Sequence, residues 1–147
     1  MEKMSGDPIT ILLVEDNPDH ATLVIRSLKN FLVANHIIHA EDGEEALNYL
    51  NKIGNGTKRP HLVLLDLRLP KIDGLEVLRQ IKTNKDLVDI PVVVLTTSDA
   101  ETDMARAYEY HANSYLVKPV DFSKFTELMN ALGFYWICWN KNPFSCQ

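Results

Sequence analysis

At 147 residues, with 46% hydrophobic and 24% charged positions, the chain is sized for one globular domain with a substantial buried core. Its net charge of −5 comes with no basic cluster larger than Lys58-Arg59, which excludes a phosphate-gripping nucleic-acid face and a polybasic membrane patch. Cys138 and Cys146 form no CxxC and stand at no zinc spacing with a histidine, and no apolar run nears the ~18 residues of a membrane span, so a reduced cytoplasmic setting is expected.

Met1 to Pro8 is short and polar, lacks the apolar core of a signal peptide, and is expected to be disordered. The first apolar run, Thr10–Val14, leads to Asn17 and Pro18, a helix cap and first helical position, then to Ala21, Val24, Ile25, Leu28 and Phe31 on one helical face. His36–Ala40 is a more polar run that suits an edge strand, and it is followed by helical spacing through Ala46, Leu47, Leu50 and Ile53, closed by Gly54. Leu62–Leu67 is the third run; Asp73-Gly74 then opens a helix carrying Leu75, Leu78 and Ile81. Pro91–Thr96 is the fourth run, followed by Met104, Ala107, Tyr108 and His111 at helical spacing. Ser114–Val117 is the fifth, and a last helix after Asp121 presents Phe122, Phe125, Leu128, Met129 and Leu132.

Five strands alternating strictly with five helices predict an α/β fold with a parallel sheet covered on both faces. The runs ILLV, LVLL and VVVL are apolar without alternation, as strands buried on both sides must be. Such sheets bind ligands outside the carboxyl ends of their strands. There the chain places Glu15-Asp16, Asp66, Thr96 and Lys118, after the first, third, fourth and fifth runs. Three carboxylates brought together repel one another unless a cation joins them. A hard divalent ion such as Mg²⁺ takes carboxylates, carbonyls, waters and phosphate oxygens. Lys118 adds an ammonium and Thr96 a hydroxyl able to donate to an anion. The set suits an ionised aspartate that accepts a phosphoryl group, with charge neutralisation and alignment as the remaining work.

The segments ILLVEDNP, LVLLDLRLPKIDG, IPVVVLTTS and NSYLVKPV, spread from about Ile9 to Leu132, closely resemble the receiver domains of two-component response regulators. The resemblance implies a flavodoxin-like (βα)5 three-layer sandwich with strand order 2-1-3-4-5, and a receiver domain over residues 9–132. It also implies roles. Asp66 would be the phosphoacceptor, and Glu15, Asp16, Asp66 and the main-chain carbonyl of Arg68 would hold Mg²⁺ or Mn²⁺. Thr96 and Lys118 would read the phosphoryl group, and Tyr115 would be the aromatic that turns inward with Thr96. The Lys118–Pro119 bond would be cis. A sensor histidine kinase is the implied donor, and the surface of the fourth helix, the fifth strand and the final helix the implied output face for a downstream protein target.

Three positions depart from the commonest pattern of the family. Glu15 stands where Asp is frequent, Thr97 where Ala or Gly is usual, and Arg68 is expected to set a bulky cation beside the phosphoryl pocket. The segment FYWICWNKNPF, Phe134–Phe144, resembles the C-terminal extension of phytochrome-associated single-domain receivers. Residues 133–147 are therefore expected to extend the last helix as an aromatic surface for a homodimer, with no room for an output module and a phytochrome-like kinase as partner. A phosphohydrolase with an aspartyl-phosphate intermediate would want a second Asp two residues after its nucleophile, where this chain has Arg68. A receiver-like module that takes no phosphate usually lacks part of the acidic set, the Thr or the Lys; here all are present.

Overall fold

The structure, a computed structural model, describes residues 8–29, 35–97 and 100–118, together with Ser123 and Glu127. Chain order is β1 (Ile9–Val14), α1 (Pro18–Lys29), β2 (Asn35–Ala40), α2 (Gly43–Asn51), β3 (Leu62–Leu65), α3 (Gly74–Thr83), β4 (Val92–Thr96), α4 (Glu101–Glu109) and β5 (Ser114–Val117). The five strands form one parallel sheet in the order β2-β1-β3-β4-β5. Expectations that fall on residues 1–7, Phe31, the Lys118–Pro119 bond, the helix after Asp121 and the 133–147 extension lie outside the described residues.

Side chains alternate along each strand, so one sheet supplies two cores. Leu12, Val14, Val63, Leu65, Val92 and Val94 face α2, α3 and α4, where Leu50, Val77, Leu78 and Ile81 close the larger core. Ile9, Ile11, Leu13, Leu62, Leu64 and Val93 face the other way and meet Ala21 and Leu28 of α1. Every residue of β1, β3 and β4 is buried, whereas β2 at the sheet edge is mostly half-exposed. Each such Leu, Ile or Val contributes about 1.5–3 kcal/mol by leaving water. Much of the buried apolar surface therefore belongs to the three central strands, whose carboxyl ends share one edge of the sheet.

Six boundaries differ from the sequence-based expectation: β1 and β2 each begin one residue earlier, at Ile9 and Asn35, and four others differ for identifiable reasons. β3 stops at Leu65, yet Leu67 is fully buried, so an apolar residue past the strand end looked like part of the strand. β4 starts at Val92 because Pro91 has no N–H for the ladder; its carbonyl still accepts from Val63. α2 ends at Asn51, before Ile53, which bridges to Thr57 across a turn containing Gly54 and Gly56 at φ +97° and +88°. α4 ends at Glu109, because His111 takes a left-handed φ of 68° and closes a Schellman-type cap: its N–H donates to Tyr108 O, and that of Ala112 to Ala107 O, both at 2.9 Å. Tyr110 then packs on the core, while Tyr108, expected on the inner face, is exposed.

Candidate functional site

In register, Val14 lies beside Leu65, Leu65 beside Val94, and Thr96 beside Val117. The strand ends thus share one edge, and the residues that follow them meet there. Glu15 continues the line of β1: its N–H donates to Ala40 O at 3.0 Å, and its carbonyl lies 2.8 Å from His39 Nε2. Asp66 does the same for β3, its N–H donating to Val14 O at 3.0 Å. Both side chains are buried, Glu15 at 2% exposure and Asp66 at 7%, while Asp16 is exposed.

Glu15, Asp16 and Asp66 each offer an oxygen within 4.8 Å of the others. All three are hard oxygen donors, which fits Mg²⁺ or Mn²⁺ rather than a thiophilic metal. Arg68, the fourth residue expected at the metal, turns its main chain around Asp66 and donates its N–H to Asp66 Oδ1 at 3.2 Å.

Lys118 approaches from β5, anchored by its N–H to Thr96 O at 2.7 Å. Its side chain is only 9% exposed, and its ammonium donates to Glu15 Oε1 and lies 3.3 Å from Asp66 Oδ2 and 3.1 Å from His20 Nδ1. Thr96 is fully buried at the end of β4, and Tyr115 is packed into the core on the α2–α4 side. The expected Asp66, Thr96 and Lys118 group therefore converges with the acidic pair on one sheet edge.

Burial pushes the Glu15 carboxyl above its ordinary value of 4.5; the hydrogen bond from Lys118 opposes this, and the charge of Asp66 adds to it. A carboxyl raised in the folded state contributes stability below its unfolded value and loses it as pH rises through the folded value. Ionising Glu15 therefore costs the folded state stability as pH rises. Glu15→Gln should melt higher than the parent in metal-free buffer at neutral pH, and the gain should vanish near about pH 4, where both carry a neutral group. Thermal melts at the two pH values check this; a variant that melts lower at neutral pH would contradict it.

Arg68 does not crowd the acceptor as expected. Its side chain is 62% exposed and reaches α4, where Nη2 donates to Asp103 Oδ2 at 2.5 Å. A carboxylate in the first turn of α4 attracts the guanidinium away from the pocket. Thr97 is exposed beyond β4. A second loop contact joins Lys71, at φ 67°, to the α2 cap residue Asp42 at 3.4 Å.

The sequence reading missed His20. Asn17 Oδ1 accepts from the N–H groups of Asp19 at 2.9 Å and His20 at 3.1 Å, confirming Asn17 as the cap of α1. His20 is therefore the third residue of the helix, and helical side chains lean toward the amino end. That lean points it back over the strand ends, a signal the capping pattern already contained.

A family profile described as response regulator receiver domain matches residues 11–130. The probable methanogenesis regulatory protein FilR2 of Methanothrix harundinacea (strain 6Ac) is 49% identical over 138 residues, 93% of this chain and 89% of that protein. Response regulator Rcp1 of Synechocystis sp. is 42% identical over 139 residues, 93% of this chain and 95% of its own length. The crystal structure of the Mn²⁺-bound form of Rcp1 matches with a TM-score of 0.75 at 43% identity, covering 88% of this chain and 94% of that one. The structure of the phosphorylated cyanobacterial phytochrome response regulator RcpA matches with a TM-score of 0.77 at 39% identity, covering 89% and 95%. In fold, in sequence and in the residues gathered at its strand ends, the chain belongs to the response regulator receiver family of two-component signalling proteins.

Proposed function

We propose that this receiver takes a phosphoryl group onto Asp66 from a sensor histidine kinase and relays the event through the face formed by α4, β5 and the segment after Asp121. The observation that carries this is the meeting of three carboxylates within 4.8 Å, with the Lys118 ammonium 3.3 Å from Asp66. An Asp66 carboxylate oxygen forms the new bond to phosphorus as the bond to the donor imidazole breaks. Asp66 is already ionised for this, so no general base is needed. Glu15, Asp16, Asp66 and the Arg68 carbonyl would hold Mg²⁺ or Mn²⁺, which supplies neutralisation of the phosphoryl oxygens and in-line alignment. The Mn²⁺-bound form of Rcp1 supports that ion class.

Lys118 then pairs with the phosphoryl group. Thr96, on the strand between β3 and β5, donates its hydroxyl to a phosphoryl oxygen and shifts Tyr115 beside α4. The phosphoryl group's charge of about −2 is the trigger.

The likeness to RcpA, a cyanobacterial phytochrome response regulator, favours a phytochrome-like kinase as donor; a cytoplasmic setting and a homodimer built on the 133–147 extension rest on the sequence reading. The 49% identity to FilR2 favours a second reading for the input, a kinase unrelated to light sensing. Phosphotransfer from a panel of purified kinases of both kinds separates them.

The switch itself is tested with acetyl phosphate. Intact-mass spectrometry should show a gain of ~80 Da, the added phosphoryl group, in Mg²⁺ and none in excess EDTA. Equal uptake in both buffers would overturn the metal-dependent reading.

A further inference from the structure

An ammonium has three N–H donors. That of Lys118 meets three acceptors: Glu15 Oε1, Asp66 Oδ2 at 3.3 Å and His20 Nδ1 at 3.1 Å. The third contact requires the imidazole to carry its proton on Nε2, an assignment made from the geometry. Two of the partners are carboxylates of the acidic cluster that would hold the divalent ion. Once a cation of charge +2 occupies those oxygens, it competes with the ammonium for the same lone pairs. His20 is the only one of the three partners that stands outside the cluster.

From this we infer that His20 is a positioning residue for Lys118: its Nδ1 retains the ammonium beside Asp66 when the metal takes the carboxylates. The inference rests on the reading of Asp66 and Lys118 given under Proposed function. His20 suits the task because the α1 cap fixes its backbone without help from the metal. Its ring is also only partly exposed, and Glu15 Oε1 lies 3.9 Å from the same nitrogen, so the ammonium moves little in passing from carboxylate to imidazole. A lysine left without that acceptor spreads over solvent-facing rotamers, and only the fraction already in place can meet an incoming phosphoryl group.

The test compares the parent with His20→Ala and His20→Gln, the latter supplying a neutral amide oxygen as acceptor. In protein carrying ¹³C-labelled lysine, the Lys118 ε-methylene signal, identified by its loss in Lys118→Arg, is followed through an Mg²⁺ titration. The parent and His20→Gln should keep a Lys118 signal distinct from those of solvent-exposed lysines at saturating metal; in His20→Ala it should merge with them. The acetyl phosphate concentration for half-maximal phosphorylation should rise about fivefold in His20→Ala with the limiting rate unchanged, and His20→Gln should restore it. A Lys118 signal in metal-loaded His20→Ala identical to the parent's would overturn the proposal. So would equal impairment in the Gln and Ala variants. If the parent itself takes up no phosphoryl group, the proposed function fails, and the Mg²⁺ titration still decides the role of His20.

Discussion

Gly74→Ala should lower the melting temperature by roughly 6–12 °C, the equivalent of about 3 kcal/mol in a domain of this size. A Cβ on Gly74 would lie 2.3 Å from Asp66 O, 2.5 Å from Leu67 Cα and 2.9 Å from Leu67 O. All three are backbone atoms, so no side chain can swing aside to relieve the collision. The Gly74 N–H also donates to Leu67 O at 3.0 Å, which pins α3 against the acceptor loop. Asp73 caps the same turn, accepting from Leu75 N at 3.2 Å. Gly56→Ala is the control. Its backbone is left-handed at φ +88°, but nothing lies near the added carbon, so its cost is about 1–2 kcal/mol of backbone strain. A Gly74→Ala protein melting no lower than Gly56→Ala would show that the acceptor loop yields freely. Because the collision falls on Asp66 itself, the Gly74 variant should also take up phosphate more slowly when assayed below its melting temperature.

Asp66→Asn should abolish phosphate uptake from acetyl phosphate or kinase altogether, with no ~80 Da gain by intact mass. The amide keeps the shape of the side chain and its oxygen can still accept from Arg68 N–H; the NH2 in place of the other oxygen gives up the Lys118 contact, but the ammonium keeps Glu15 and His20, so the site should remain folded. What disappears is the ionised oxygen that attacks phosphorus. The neighbours are poor substitutes: Glu15 is buried and committed to Lys118, and Asp16 is exposed on the rim of the cluster. An undiminished gain in the variant would move the acceptor elsewhere.

The fold was legible because the sheet is buried on both faces. A run such as LVLL or VVVL has no other stable place, and Asn17-Pro18 and Asp73-Gly74 announce their helices by capping chemistry that the structure bears out. The gathering of Glu15, Asp16, Asp66, Thr96 and Lys118 followed from strand order alone, since parallel strands send their carboxyl ends to one edge. Element ends were less legible. Leu67 is apolar for packing beneath the acceptor loop, not for pairing, and Ile53 serves a turn rather than a helix. His111 gave no warning of its left-handed backbone, which a glycine would have signalled. Long side chains were hardest to place. Arg68 was expected at the pocket by its distance along the chain, but a guanidinium goes to the best carboxylate in reach, and Asp103 lies 35 positions away in sequence. His20 reaches Lys118 across 98 positions, from the first turn of α1 to the residue after β5.

The central claim is that Asp66 carries the phosphoryl group, and borohydride trapping tests it most directly. An acyl phosphate is reduced to an alcohol, so phosphorylated protein treated with borohydride should yield a peptide spanning Leu62–Gly74 with homoserine at position 66. Homoserine at position 16, or stable phosphate on Thr96 or His20 with Asp66 unaltered, would contradict it.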